Sequence, residues 1–317
     1  MLSRTADSLY WMSRYIERAE NTARMLEVNL QVMLHPRQGE GGRSSWQSVL
    51  EISELSELFY EKYGEPTSRN VLEYMVRDRD NPSSIHACLR AARENARAVR
   101  GSLTTEVWET FNYTWLELQR QSFGNGLHTN PSAFFDWVKW RSHLSRGVID
   151  GTMLRDSAYA FLGLGAYLER ADNTARLLDV GFYHQPSQRG QGVEAALMQD
   201  FYHWSALLHS VSGFETYRKV YRDVVTPARV VEMLVLNRDM PRSLLSAVDA
   251  VNRYLAVVTD GDATETTCRA LLLRTEVERA RHGDTLEAGL HAFLTGFLTR
   301  INDLGDRISR DFLVPIA

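Results

Sequence analysis

The chain has 317 residues, of which 44% are apolar and 24% are charged, and its formal net charge is −4. These values are ordinary for a soluble globular protein with a sizeable core, and the acidic balance disfavours a dedicated nucleic-acid-binding protein. Its two cysteines lack metal-type spacing, and no uncharged apolar run reaches the roughly 18 residues of a membrane span. We therefore expect a reduced, cytoplasmic protein.

The first predicted element is a long amphipathic helix. From Leu9 to Leu30, apolar residues recur at steps of three and four, which predicts a stripe that packs against other helices. The helix should run for roughly 30 residues and end near His35-Pro36, because proline stops a helix. It carries the polar motif Tyr15-Ile-Glu-Arg-Ala-Glu-Asn-Thr-Ala-Arg24.

Further helices are predicted in the first half of the chain, at about 46–61, 104–121 and 131–147. A helix–helix loop is expected at Asn125-Gly126, because its neighbours are polar.

A break of the form Arg-Asp-x-Pro-x-Ser separates two helical segments in each half of the chain. It spans 79–84 in the first half and 238–243 in the second. Proline suits the first turn of a helix, so Pro82 and Pro241 are predicted to lie in the first turn of the helices that follow. The preceding aspartate would help to bind the free N–H groups there. These breaks provide secondary site candidates: Arg79, Asp80, Arg238 and Asp239.

The helix after the first break has a basic face. Arginines occur along it at Arg90, Arg93, Arg97 and Arg100. A solvated face is the simple interpretation, and a docking surface for an acidic partner or a phosphate-bearing ligand is the alternative.

The polar motif of the first helix returns 152 residues further along. Tyr167-Leu-Glu-Arg-Ala-Asp-Asn-Thr-Ala-Arg176 differs from the first copy only by conservative exchanges, and its long helix should end near Gln185-Pro186. Together with the repeated break, this predicts a duplication into residues 1–150 and 151–317. We predict an all-α protein of two internally repeated helical units packed as one continuous, bundle-like body. Its second half should contain further helices at about 194–210, 264–281 and 284–312.

The duplicated motif provides the candidate functional residues. They are Glu17, Arg18, Glu20, Asn21, Arg24, Glu169, Arg170, Asp172, Asn173 and Arg176. In each copy an acid precedes an arginine by four residues, the favourable order for an intrahelical pair. The Glu-Arg pair beside it is predicted to place its glutamate at the side of the apolar stripe and its arginine further round the helix.

Three interpretations of this motif are open. All four basic positions are arginine rather than lysine, which favours bidentate hydrogen bonds between a guanidinium group and a carboxylate. Our first interpretation is therefore a partly buried network that joins neighbouring helices. A ligand or partner site is the second, and catalysis is the third. Glu17 and Glu20 have the i,i+3 spacing of metal-binding bundles, but neither copy has a Glu-x-x-His and the arginines would repel a cation. We expect no metal and no cofactor.

Other chemical motifs are scarce. Leu162-Gly-Leu-Gly165 lacks the Lys-Ser/Thr of a phosphate loop, so its glycines are predicted to allow close helix packing. Several tryptophans are expected to anchor the core or an interface. They are Trp108, Trp115, Trp137, Trp140 and Trp204.

Segments along essentially the whole chain resemble the bacterial alpha-E domain family, a family of unknown function. Its opening is similar to Met1-Leu-Ser-Arg4, Tyr10-Trp11 and the first polar motif. Its later motifs resemble Arg93-Glu-Asn-Ala-Arg97, Trp108-Glu-Thr-Phe-Asn112, Thr152-Met-Leu-Arg155 and Leu168-Glu-Arg-Ala-Asp172.

The hallmark of that family is a paired Glu-Arg motif, which maps here onto Glu17-Arg18 and Glu169-Arg170. One departure is Ala166, where the family often has an arginine before the tyrosine. The resemblance implies an all-helical cytoplasmic protein encoded beside, or fused to, an ATP-grasp-type peptide ligase, and often near a transglutaminase-like protease. It also implies a role in the synthesis or processing of a small peptide or an amide-linked tag.

Three functional hypotheses follow. The first is a non-catalytic binding or scaffold protein that assists the ligase. The second is an enzyme of the same pathway that uses Glu17 or Glu169 as general acid/base while arginines hold a carboxylate substrate, which requires an open cleft and a raised carboxyl pKa. The third is a purely structural homo-oligomer. None of the three involves nucleic acid or a membrane.

Overall fold

The computed structural model describes residues 1–33, 42–120, 127, 130–183, 193–280 and 285–313. All regular secondary structure in these residues is helical, which confirms the predicted all-α class. In chain order the helices are α1 (Ser3–Met33), α2 (Gly42–Ile52), α3 (Ser56–Tyr63), α4 (Ser68–Val76), α5 (Ile85–Ala98), α6 (Thr105–Arg120), α7 (Pro131–Thr152), α8 (Ser157–Tyr183), α9 (Val193–Ser210), α10 (Phe214–Tyr221), α11 (Pro227–Leu236), α12 (Leu244–Val258), α13 (Glu265–Arg279) and α14 (Thr285–Phe312). Within the described ranges, no helix is long and apolar enough to cross a membrane.

The predicted helix positions agree with the structure, with one correction. The segment predicted at 46–61 is two helices, α2 and α3, because the chain turns between them at Glu54, whose φ is 54°. A positive φ is incompatible with a continuous right-handed helix. The predicted loop at Asn125-Gly126 and the predicted helix ends near His35-Pro36 and Gln185-Pro186 lie outside the described residues.

The two long helices are α1, with 31 residues, and α8, with 27 residues. Their apolar stripes face inward as predicted, since the residues at steps of three and four are buried along both helices. The buried members are Leu9, Met12, Ile16, Ala19, Ala23 and Leu26 of α1, and Phe161, Leu164, Leu168, Ala171, Ala175 and Leu178 of α8.

Two glycines of α8 allow close packing, as the sequence predicted. A Cβ at Gly165 would lie 2.1 Å from the backbone oxygen of Tyr10 on α1, and a Cβ at Gly163 would lie 2.3 Å from the ring of Tyr254 on α12. A side chain at either position needs its neighbour to move. The backbones of α1 and α8 therefore approach closely at Gly165, just before the polar motif of α8.

Other helices cover this central pair, and one of them, α14, has 28 residues. The helices α5, α7 and α9 pack on α1, while α12 and α14 pack on α8. Because α5 follows the first Arg-Asp-x-Pro-x-Ser break and α12 follows the second, the two breaks begin helices that pack on the two long helices. The crossing of α1 and α8 is thus enclosed by α5, α7, α12 and α14.

Serine, rather than proline or aspartate, caps the helix after each break. Ser84 and Ser243 have extended backbones, and each hydroxyl accepts a hydrogen bond from the backbone N–H three residues on, at 3.2 and 3.0 Å. The placement of Pro82 and Pro241 in the first helical turn is therefore wrong, because both lie two residues before the N-cap. A hydroxyl at this position satisfies a free N–H group, which proline cannot do.

Candidate functional site

The two polar motifs meet where α1 crosses α8. The arginine of each Glu-Arg pair binds the glutamate of the other pair. Arg170 of α8 donates hydrogen bonds to both carboxylate oxygens of Glu17, at 2.9 and 3.0 Å. Arg18 of α1 donates to both oxygens of Glu169, at 2.5 and 3.0 Å. Paired bonds of this kind fix geometry as well as adding stability. The repeated motif is therefore a reciprocal clamp between the two long helices.

Both glutamates of the clamp are buried, with Glu17 0% and Glu169 6% exposed. The sequence predicted these glutamates at the side of the apolar stripe and the arginines further round the helix. The opposite long helix covers this side of each helix, and the arginine side chains are long enough to reach across the crossing. The buried network between neighbouring helices, our first interpretation of the motif, is present in these hydrogen bonds.

A larger set of charges surrounds Glu17. Arg146 of α7 lies 2.8 Å from Glu17 and 2.6 Å from Glu20. Arg242, just before α12, lies 3.0 Å from Glu17 and 2.6 Å from Glu20. Glu20 also accepts a hydrogen bond from Arg24 at 2.8 Å. We call this set the Glu17 cluster: Glu17, Glu20, Arg24, Arg146, Arg170 and Arg242.

A smaller set surrounds Glu169, which we call the Glu169 cluster: Glu169, Arg14 and Arg18. Arg14 donates to Glu169 at 2.9 Å, and its guanidinium group stacks 5.1 Å from the ring centre of Trp11. Both arginines belong to α1, so this cluster uses side chains from the two long helices alone.

The pKa values of the clamp glutamates reflect these contacts. Burial by itself raises a carboxyl pKa, but three guanidinium groups around Glu17 outweigh burial and lower its pKa to about 2. Two guanidinium groups around Glu169 also lower its pKa to about 2. A general acid/base works best with a pKa near the working pH and an accessible carboxyl group. The geometry therefore does not support the enzyme hypothesis built on these two glutamates.

Three cluster arginines lie outside the candidate residues of the repeated motif: Arg14, Arg146 and Arg242. Arg14 lies one turn before Arg18 on the same helix. Arg242 belongs to the second break, and the return of this break after each long helix is a signal that the two pack together. Arg146 on α7 has no such signal, because only folding brings it to Glu17.

The remaining candidates of the motif lie at the edges of the clusters. Asn21 accepts a hydrogen bond from Arg242 at 2.8 Å. Arg176 donates to Asp172 at 2.7 Å, which confirms the predicted i,i+4 pair. Asn173 is half-buried on α8.

The secondary candidates from the two breaks do not join either cluster. Asp80 pairs with a lysine of α3 at 2.7 Å, and Arg238 pairs with a glutamate of α13. Arg79 and Asp239 are exposed. The predicted capping role of the two aspartates is wrong, because serine hydroxyls fill that position.

A cleft of about 380 Å³ lies beside the Glu17 cluster, between α1, α7, α8 and α12. Arg146 and Arg170 line one part of it, and Tyr159, Tyr167 and Tyr254 line another. The arrangement combines fixed cationic groups with aromatic walls, which are the usual components of a small-molecule site.

Ala166 lines this cleft and marks a difference between the two copies of the motif. It occupies the repeat position of Arg14, which fills its own site by binding Glu169 and stacking on Trp11. The small side chain of Ala166 leaves the corresponding space open. In the part of the chain that the structure describes, no group of three or more His, Cys, Asp or Glu side chains is placed to hold a metal ion.

The fold and the site define a class: all-helical proteins whose central helices are clamped by reciprocal glutamate–arginine pairs. A family model, Alpha-E, described as a predicted alpha-helical domain with a conserved ER motif, matches residues 1–313. The chain belongs to this Alpha-E family. Glu17-Arg18 and Glu169-Arg170 are pairs of the kind that the description names. No curated protein and no solved structure matches the chain significantly.

Proposed function

We propose that this chain is a non-catalytic helical binding and scaffold protein that assists an ATP-grasp-type ligase in the cytoplasm. The ligase would synthesise or modify a peptide or an amide-linked product, and a transglutaminase-like protein would be a further partner. The family resemblance supplies these partner classes. The geometry of the charged clusters supports the non-catalytic part of the proposal.

The main support for this proposal is that all hydrogen-bond acceptor positions of the Glu17 carboxylate are occupied. Its carboxylate accepts four hydrogen bonds from three arginines, and a carboxylate has about four acceptor positions. The acid is thus fully used in holding α1, α7, α8 and the turn before α12 together. A rigid, cross-linked core of this kind suits a platform on which a partner docks.

The basic face of α5 is the docking surface that we propose for the ligase. Arg90 and Arg97 are exposed on this helix and Arg100 is exposed just after its end, while Arg93 is held by Asn112 at 3.2 Å. A cationic patch attracts an acidic partner surface and accelerates its association.

Co-purification with the ATP-grasp ligase encoded beside this chain tests the proposal. We expect a complex that is weakened by the double substitution Arg90→Glu, Arg97→Glu. The matched control is Arg269→Glu, Arg279→Glu, which reverses two exposed charges on α13. Absence of a complex, together with ligase activity that is unchanged by this protein, contradicts the proposal.

A purely structural homo-oligomer is the second candidate, and one observation favours it. Trp140 is 70% exposed, and the exposed Leu144 lies one turn further along the same face of α7. Tryptophan is frequent at the centre of protein interfaces, and the other predicted tryptophan anchors pack in or against the core. Light scattering that finds only monomer at high concentration removes this candidate.

We also propose that residues 1–150 and 151–317 derive from one duplicated unit. The repeated motif and the corresponding positions of α5 on α1 and α12 on α8 support this. Because the clamp joins both halves, they should unfold in one cooperative transition. Two separate calorimetric transitions would contradict the proposal of a single body.

A further inference from the structure

The cleft beside the Glu17 cluster has the dimensions of a small-molecule site. Its volume of about 380 Å³ lies in the range of about 300–1,000 Å³ that is typical of ligand pockets. Arg170 of α8, which is only 6% exposed, and Arg146 of α7 both line the cleft. A buried charged side chain at the surface of a cleft is a preorganised binding group.

The Glu17 cluster has more positive than negative charge. Its four guanidinium groups pair with only two carboxylates, which leaves two positive charges unbalanced. His143 contacts Arg24 and Arg146 but cannot balance them, because an imidazole is neutral or positive. Asp150 also lines the cleft, where it pairs with Arg155 at 2.7 Å and accepts a hydrogen bond from Tyr159. The excess positive charge of the cluster attracts an anion, so an anion in the cleft would stabilise the cluster.

A cationic ligand does not fit the same site. The oxygens of Glu17 are occupied by four hydrogen bonds. Arg146 uses its two terminal nitrogens on Glu17, Glu20, Ser142 and His143, which leaves its Nε–H. Arg170 donates three hydrogen bonds, to Glu17 and the Pro241 carbonyl, and keeps the rest of its five N–H donors. The space above Ala166 is also free of the arginine that the first copy has at this position. The cleft therefore offers donors and room, and it lacks a free acceptor at its charged end.

We infer that this cleft binds the carboxylate end of a small peptide-like ligand, with Arg146 and Arg170 on the charged side. Tyr159, Tyr167 and Tyr254 form the walls around the uncharged part of the ligand. The remaining guanidinium N–H donors suit a carboxylate, and the tyrosine rings provide large apolar faces with a polar tip for the uncharged part. The inference rests on the proposed binding function and names the class of ligand that this function uses.

Two glycines of α7 provide a matched pair of variants. Gly147 lines the cleft, whereas Gly151, one turn further along the helix, does not. A Cβ at either position meets nothing within 4 Å, so Gly147→Leu and Gly151→Leu should both fold. The leucine at position 147 would occupy the cleft, and the leucine at position 151 would not.

Titration calorimetry with N-acetyl-alanyl-alanine and its C-terminal amide tests the inference, with inorganic phosphate as a third probe. We expect the free acid to bind at least about tenfold more tightly than the amide. Gly147→Leu should weaken acid binding by about tenfold or more, and Gly151→Leu should change it by less than about twofold. Arg146→Gln should remove the preference for the acid over the amide.

Equal affinity for acid and amide, no binding of either, or unchanged binding by Gly147→Leu would overturn the inference. Phosphate that binds more tightly than the free acid would overturn the choice of carboxylate. The ligase complex provides a separate readout. Carboxylate binding without a complex contradicts only the docking proposal, and a complex without carboxylate binding contradicts only the cleft inference.

Discussion

The Glu17 and Glu169 clusters begin from nearly the same motif and end in different surroundings. Glu17 is bound by arginines from α7, α8 and the turn before α12, and it borders a cleft of about 380 Å³. Glu169 is bound by two arginines of α1, and the cavity beside Arg14 is only about 120 Å³. The motif thus provides the clamp, whereas the neighbouring helices determine the charge balance and the space around it.

The largest loss of stability is expected when the charge of Glu17 is removed. In Glu17→Gln, Arg170 loses its charged partner and Arg242 keeps only Glu20, while their side chains are only 8% and 7% exposed, so we expect a loss of about 3–5 kcal/mol in the free energy of unfolding. Arg14 and Arg18 are 16% and 27% exposed, and water can solvate them in Glu169→Gln, for which we expect about 1–3 kcal/mol.

Urea denaturation measures both variants, and Glu61→Gln on the exposed face of α3 is the control. If Glu169→Gln costs as much as Glu17→Gln, the distinction between the two clusters is wrong.

Acid should weaken both clusters. The carboxyl pKa of Glu17 and of Glu169 falls from 4.5 to about 2 on folding, so each contributes stability that is present above pH 4.5 and lost as the pH falls towards 2. Each group should account for about 3 kcal/mol over this window.

Urea midpoints measured from about pH 7 down to about pH 3 follow this loss. The curve of Glu17→Gln should be flatter than that of the natural chain below pH 4.5, since one titrating group is gone. Parallel curves would rule out the assigned low pKa of Glu17.

The i,i+4 pair of Arg24 and that of Arg176 should also differ in their contribution to the free energy of unfolding. Arg24 binds the fully buried Glu20, so Arg24→Ala should cost about 2–4 kcal/mol. Arg176 binds the partly exposed Asp172 and the exposed Glu54, so Arg176→Ala should cost about 1 kcal/mol or less. Melting temperatures of the two variants compare them directly. Equal decreases in melting temperature would contradict the prediction that the more buried pair contributes more stability.

The smallest expected difference is between two substitutions at the glycines where α8 meets its neighbours. Gly165→Ala places a methyl group against the Tyr10 backbone and should cost about 1–3 kcal/mol. Gly163→Ala meets only the Tyr254 ring, which can turn aside, and should cost about 1 kcal/mol or less. Thermal unfolding measures both, and a larger effect for Gly163→Ala would contradict the packing described here.

Local patterns were sufficient for much of the fold. Apolar steps of three and four predicted α1 and α8, and the preference for arginine predicted pairs between helices. The same patterns did not indicate how deeply Glu17 and Glu169 are buried, because one helix does not show which neighbour covers its side. They placed Pro82 and Pro241 wrongly, because the hydroxyls of Ser84 and Ser243 cap those helices.

The amino-acid sequence by itself determined the helical class, the two long amphipathic helices and the repeated clamp residues, because helix periodicity and side-chain chemistry act over a few positions. Tertiary structure alone decided that Arg146 reaches Glu17 from 129 positions away along the chain, and that Arg242 of the repeated break, 225 positions away, binds Glu17. It also decided the cleft, which exists because four separate helices meet around the small side chain of Ala166. Such long-range neighbours depend on packing of the whole chain, and no local pattern contains them.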